Sequence, residues 1–569
     1  MKDAAALVAL VLLLGIGVAV VPPVGEFPLC DDFDYAATAK DLAEYGELRI
    51  SDYPIATLAT HAAWGALFVK LFGYSYVTLR AASLTMALLA SWSAYALARR
   101  LGLPRSASLL LSATLLFNPI FLSLSYTFYT NVTGVALMFA SVWLLTKALQ
   151  SRRPRGFAVA GVCGAIAYLA RQTAGVPMLV FLATAGVATL AGRFAIMNYF
   201  SFAAPALAIV SGYYAWLHLI WIQPYYMATA KLDWSVLTSA SSVASRFVEI
   251  VLFSSLHLAP LAFGWATGRS GVLVRSRAFW MTAICTLAAT AGMCALASRS
   301  PAPFSGTLLA DMALGVDRSL PPSDGSALLG PKLDAFGGPW SVFTLIATMF
   351  AWTSAPILAF GGVRLLRKRP PVNIERCLLS PSAQLHWSVV VSLGIVFLTS
   401  TQEPYLLSPL ALTMVLVVRI GRPWPARSIA AAGVIVAGFA AFAFAGVDDM
   451  LARNAALWRS IERLHASGAR PNEINGGWEY AGVFRFNPVY RGVKAVPPLQ
   501  LDKNDAGRAL HIAKHHPASY FDSRRPYALA LAPLEGHRII GREPYKSFLR
   551  TGTVLTLKRT NGPVDSPPQ

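Results

Sequence analysis

Two runs in this chain, "AAALVALVLLLGIGVAVV" at 4–21 and "IAAAGVIVAGFAAFAFAGV" at 429–447, contain no charged residue. Each is long enough as a helix to cross a hydrocarbon core of roughly 30 Å. A backbone in lipid must satisfy its own hydrogen bonds, so runs like these admit helices and little else. Composition agrees, because 55% of the residues are hydrophobic and only 13% are charged, against about a quarter charged in soluble domains. The sequence predicts an all-α polytopic membrane protein of about thirteen transmembrane helices. The expected spans lie near 4–23, 77–98, 106–124, 130–149, 156–171, 174–192, 195–221, 246–267, 278–297, 340–363, 384–400, 405–420 and 428–446. The first lacks a small-residue cleavage pattern and runs into Val21-Pro22-Pro23, so it reads as an uncleaved span.

Lys and Arg number 48 against 28 Asp and Glu. With the N-terminus inside, alternate loops hold Arg99, Arg100 and Arg105; Arg152, Arg153 and Arg155; Arg193; Arg269, Arg275 and Arg277; Arg364, Arg367, Lys368 and Arg369; and Arg419, Arg422 and Arg427. All the dense basic clusters then fall on one side, as the positive-inside rule requires. The net charge of +20 therefore reflects topology and attraction to anionic headgroups, and no nucleic-acid partner is expected. The outer side receives a first loop over 24–76, loops near 223–245 and 298–339, and the tail. The expected division is a transmembrane domain over 1–446 and an extracytoplasmic C-terminal domain over 447–569, small and α+β. In that tail "NAALWRSIERLHASG" reads as a helix stopped by Gly468, and "GHRIIGREPYKSFLRTGTVLTLKR" as paired strands. The five cysteines are irregularly spaced and lack CxxC pairs, so neither a disulfide framework nor structural zinc is expected.

The scarce acids cluster. "PLCDDFDYAATAKDLAEYGEL" sets Asp31, Asp32 and Asp34 just beyond the first span, at the start of a surface helix carrying Tyr35, Ala39 and Leu42 at helical spacing. Capping and the helix dipole account for one such Asp, less readily for three.

This acidic pair with its Tyr-Ala, followed by "YPIATLATHAAWGALFVKLFGYSYVTLRAASLTMALLASWSAYALARRLG", resembles the GT-C superfamily of polyprenyl-phosphate-sugar-dependent glycosyltransferases. The layout is similar to that of protein O-mannosyltransferases and of the bacterial transferases that add aminoarabinose to lipid A. The motifs cover roughly residues 25–180; beyond them the likeness is one of layout. The resemblance implies a GT-C fold and a sugar donor on a polyprenyl phosphate. It also implies a lipid, glycan or protein acceptor, and a multi-pass protein of the cell inner membrane with its active site outside. On it, Asp31 matches the general base and Asp32 a supporting acid, while Asp34 and Tyr35 would meet substrate. Where many relatives carry a second acid, "YTFYTNVTG" presents Asn131, which can bond an acceptor hydroxyl but cannot take its proton. The turn "YLARQTAGVP" offers Arg171 to a donor phosphate, with snorkelling to headgroups as the alternative. Lys70 and Arg80 are lesser phosphate candidates. In "TQEPYLLSPL", Tyr405 and Pro409 match a family segment, Pro404 replaces its Arg, and Glu403 is an additional acid. No cofactor and no required metal are expected, although the Asp31/Asp32 pair could recruit a divalent cation. His61, His218 and His257 have no ligand spacing. The tail's "NGGWEY" reads either as a core turn or as a turn presenting aromatics to sugar. The rival class is a transporter or lipid flippase, which would set charges near the bilayer midplane and pair broken helices. Here the acids stay out of the spans, with Glu249 at an edge.

Overall fold

The structure is a computed structural model. It describes residues 2–29, 31–221, 224–229, 232–298, 342–367, 374–399, 403–490, 525–534 and 536–560. The expected loop at 298–339 lies almost wholly outside the described residues.

Helices dominate. The N-terminal half contains α1 (Lys2–Val20), α2 (Asp32–Tyr45), α3 (Ala59–Phe72), α4 (Tyr76–Arg100), α5 (Arg105–Leu116), α6 (Pro119–Ser125), α7 (Thr130–Ser151), α8 (Pro154–Ala170), α9 (Val176–Leu190) and α10 (Ile196–Leu219). Next come α11 (Tyr225–Thr229), α12 (Ala240–His257), α13 (Ala259–Thr267), α14 (Ser270–Arg275) and α15 (Arg277–Leu296). The last group is α16 (Val342–Arg367), α17 (Ile374–Leu379), α18 (Pro381–Leu398), α19 (Glu403–Ile420) and α20 (Ala426–Ala466). Among the described residues nine helices are long and apolar enough to span, or up to eleven if each of two bent pairs is one span. Two of the expected spans, around 156–171 and 405–420, are shorter apolar helices, so a count of thirteen is not reached by length. The protein is a multi-pass membrane protein.

The bends have local causes. Pro119 has no N–H to continue α5, and the Asn118 carboxamide accepts from the N–H groups of Ile120 and Phe121, starting α6 afresh. The pair turns through 62°. Between α12 and α13 the same angle occurs, with Pro260 in the first turn of the second helix. The two breaks meet, because Asn118 Nδ2 lies 3.0 Å from His257 Nδ1 inside the bundle. That settles His257 as an interhelical hydrogen-bonding group.

The helix α20 runs without interruption from the last span through the expected domain boundary at 446. Its 41 residues reach about 60 Å, roughly twice a hydrocarbon core, so its second half carries the tail. There it meets a four-stranded sheet of order β1-β2-β4-β3, built from β1 (Ile474–Asn475), β2 (Tyr527–Ala530), β3 (His537–Lys546) and β4 (Thr551–Arg559). The antiparallel β3–β4 pair is the expected hairpin, with an irregularity between Ile539 and Gly541; β1 and β2 pair in parallel and had no clear sequence signal. Polar contacts bind sheet to helix. Fully buried Asp449 on α20 accepts from Arg550 at 3.0 and 3.1 Å and from Ser547 Oγ at 2.7 Å. Glu543 receives Arg459 at 2.6 Å and also pairs with Arg463.

Candidate active site

None of the three clustered aspartates is used as a simple cap of α2. Asp31 occupies the N-cap position, yet its side chain makes no capping bond. Its Oδ1 instead accepts from Tyr53 O–H at 2.6 Å and from Trp478 Nε1–H at 3.1 Å, and its own backbone N–H donates to the Tyr129 hydroxyl at 3.2 Å. Among the described residues its Oδ2 has no hydrogen-bond partner, and the residue is partly open to solvent. Asp32 is fully buried, and its Oδ1 accepts from the Phe128 N–H at 2.9 Å. Burial pushes its carboxyl up to about 8, against the pull of that N–H and of the Arg80 charge. Asp34, also fully buried, accepts from Ser51 Oγ at 2.8 Å.

The strip "TFYTN" at 127–131, which links α6 to the first turn of α7, is the hub. Phe128 receives Asp32 on its N–H, and its carbonyl lies 3.1 Å from His61 Nε2. His61 Nδ1 lies 2.9 Å from Thr133 Oγ1. Burial lowers the imidazole to about 4, so it is neutral and serves as a strut between α3 and α7. Thr130 accepts from Arg171 Nη1 at 2.9 Å, and Asn131 Nδ2 donates to the Pro404 carbonyl at 2.6 Å. Asn131 therefore ties α7 to the start of α19, while its buried Oδ1 has no partner among the described residues.

Arg171 follows α8 in extended conformation, before the short turn Gln172–Gly175. It is 8% exposed, its guanidinium lies 4.9 Å from the Tyr405 ring centre, and its Nε has no partner among the described residues. A side chain enclosed in this way is not reaching for headgroups, so the snorkelling alternative does not describe it. The Tyr35 ring meets that of Tyr129 at 5.6 Å. Burial, followed by the Asp31 charge, raises the Tyr35 hydroxyl well above its ordinary range, and the Arg171 charge opposes the shift. Asp31, Arg171 and Tyr405 thus all act on the Tyr35 hydroxyl.

Other candidates lie elsewhere. Arg80 is fully buried and donates to the carbonyls of Val24 at 3.1 Å, Gly25 at 2.9 Å and Phe27 at 2.6 Å, fastening the chain after α1 to α4. Lys70 is exposed in the last turn of α3. The Glu403 side chain lies outside the described residues, although its backbone begins α19. Among the described residues no group of three or more His, Cys, Asp or Glu converges in the manner of a metal site.

The sequence reading missed Tyr53, Tyr129 and the Phe128 amide. It weighed Trp478 for sugar stacking or a core turn, not for Asp31. Aromatic density in "SDYPI" and "SYTFYT" was the available signal, but nothing in it selects a partner.

Residues 60–216 match the model of the dolichyl-phosphate-mannose-protein mannosyltransferase family. The resemblance to GT-C glycosyltransferases is borne out there. The matched stretch runs from the start of α3 into α10, with the 127–131 hub and Arg171; it begins after Asp31 and ends before the tail. Among solved structures, ArnT from Cupriavidus metallidurans bound to undecaprenyl phosphate is similar at 14% identity and TM-score 0.40, over 98% of this chain and 99% of that one. The apo form of the same protein is similar at 12% identity and TM-score 0.35, over 96% and 97%. No curated protein matches the chain.

Proposed function

We propose that this protein is an integral membrane glycosyltransferase that moves a sugar from a polyprenyl-phosphate donor to an acceptor hydroxyl on a lipid, glycan or protein. The site lies on the outer face of the inner membrane, with the N-terminus cytoplasmic and the tail extracytoplasmic. One observation carries the reading: the Asp31 carboxylate has one oxygen held by two donors and, among the described residues, the other unpartnered, and its charge and that of the enclosed Arg171 guanidinium both act on the Tyr35 hydroxyl. Residues 60–216 supply the supporting family match, whose name specifies a polyprenyl-type phosphate sugar.

The chemistry follows from the residues. Oδ2 of Asp31 takes the proton of the acceptor hydroxyl as its oxygen bonds to the anomeric carbon. The bond from that carbon to the phosphate oxygen breaks, and the lipid phosphate departs with the electron pair. Arg171 meets the charge that grows on it. Tyr35 and Tyr405 furnish apolar faces for the sugar ring between the two.

The test gives membranes bearing wild-type protein or Asp31→Asn a panel of undecaprenyl-phosphate-linked hexoses and pentoses carrying label. Wild type should pass label to membrane acceptors, and Asp31→Asn should do so about 10²- to 10⁴-fold more slowly. Undiminished transfer by the variant would sink the reading. The transporter alternative has one observation in its favour, the two bent helix pairs meeting at Asn118 and His257. It requires label to cross the membrane without transfer, in both proteins alike.

A further inference from the structure

Trp478 lies in the tail, 447 residues from Asp31 in sequence. The local sequence brings it there. Gly477 adopts a φ of 88°, a conformation L side chains rarely adopt, and the chain then enters the helical turn Trp478–Ala481. The next turn, Gly482–Phe486, lies so close to α2 that a Cβ on Gly482 would fall 2.4 Å from the Phe33 ring. Asn487 Nδ2 donates to the Phe33 carbonyl at 2.9 Å. The tail thus grips the first turn of α2 on the residues next to the carboxylate. The rings of Phe33, Tyr53, Trp478 and Phe486 close around this contact, with centroids 5.5–6.1 Å apart. Asp449 and Glu543 anchor the sheet behind it to α20.

A carboxylate turns freely about its last bond unless something selects an oxygen. Tyr53 O–H and Trp478 Nε1–H both select Oδ1. The geometry points to Trp478 as a positioning residue for Asp31: its indole N–H, with Tyr53, holds Oδ1 so that Oδ2 is presented to the acceptor hydroxyl, and the extracytoplasmic tail thereby completes the active site. This rests on the proposed transferase reading. The tail is then part of the catalytic unit, and the acceptor must approach Asp31 past an aromatic wall that the tail supplies.

The test compares wild type, Trp478→Phe, Tyr53→Phe, Asp31→Asn and the Trp478→Phe/Asp31→Asn pair in nanodiscs. Each is given the undecaprenyl-phosphate sugar that wild type uses. Trp478→Phe keeps the ring and removes the N–H. Losing one donor to a charged oxygen should lower kcat about tenfold, with the donor KM within about twofold. Tyr53→Phe should act in the same direction. In the Asp31→Asn background Trp478→Phe should cost no more than about a further twofold. Protease protection of the tail should match wild type, which a merely structural role for the indole would not leave intact. Wild-type kcat in Trp478→Phe alongside an inactive Asp31→Asn overturns this inference and leaves the transferase reading standing. So does a loss that appears only as tail release or as raised KM. Full activity in Asp31→Asn overturns the transferase reading, and this inference with it.

Discussion

Replacing Arg171 separates a phosphate ligand from a packing residue. The wild-type side chain donates Nη1 to Thr130 at 2.9 Å and lies 4.9 Å from the centre of the Tyr405 ring. Its Nε is buried and without a partner among the described residues. A buried donor left unsatisfied costs about 1–3 kcal/mol, so an incoming phosphate oxygen would gain both a charge and a waiting N–H. A hydrogen bond to a charged group contributes about 1.5–3 kcal/mol, which corresponds to roughly 10- to 150-fold in affinity. Arg171→Gln removes the charge, the stack on Tyr405 and the second prong, and should weaken undecaprenyl phosphate by about that factor. Arg171→Lys keeps a point charge without the planar fork and should lose about three- to tenfold. The assay is binding of undecaprenyl phosphate to protein in nanodiscs, corrected for the folded fraction and paired with a melting curve. If Arg171→Gln binds undecaprenyl phosphate as wild type does while its melting temperature falls, Arg171 only braces α8 against α7 and α19. The phosphate contact would then have to be sought at Lys70 or Arg80, although the Arg80 Nη groups already donate to carbonyls.

Asp32 should make stability depend on pH. Its folded value is raised from 3.8 to about 8, so the stability it allows is fully present below about pH 4 and is lost as pH rises through about 8. The nominal loss is on the order of 5 kcal/mol, an upper bound. Asp32→Asn can still accept from the Phe128 N–H. The melting temperature of the variant should therefore gain on wild type between about pH 4 and 8, and parallel pH curves would refute the assignment. At the tail, Asp449→Ala leaves the largely buried Arg550 without the carboxylate it meets at 3.0 Å. Stranding a buried charge costs about 3–5 kcal/mol, so protease should cut between α20 and β3 far faster in the variant. Equal cutting rates would mean that the hairpin is held by its apolar face alone.

The membrane class was legible because it depends on the length of uncharged runs, a one-dimensional property. The hairpin "GHRIIGREPYKSFLRTGTVLTLKR" was legible for a similar reason, as its two strands are neighbours in sequence. Asp31 and Arg171 stood out because a charge beside lipid is costly, and the resemblance assigned them roles. Span counting was weaker: helix ends in "SATLLFNPIF" and "SSLHLAPLAF" depend on a Pro and a cap inside apolar runs, and composition does not mark a 62° bend there.

What the sequence by itself determined, then, was the solvent each segment occupies and the local periodicity of each element. The tertiary structure decided which partner each polar side chain meets. Buried donors and acceptors must pair, but nothing local says with whom. Arg80 reads as a candidate phosphate ligand, and only the fold shows its Nη groups donating to the carbonyls of Val24, Gly25 and Phe27. Asn131 reads as a lost acid until it bonds Pro404, 273 residues away. Trp478 reads as a turn aromatic until α20 passes unbroken out of the last span and delivers the tail onto Asp31. Contacts at such separations are set by how helices pack and how far a rigid one reaches, which no window along the chain contains.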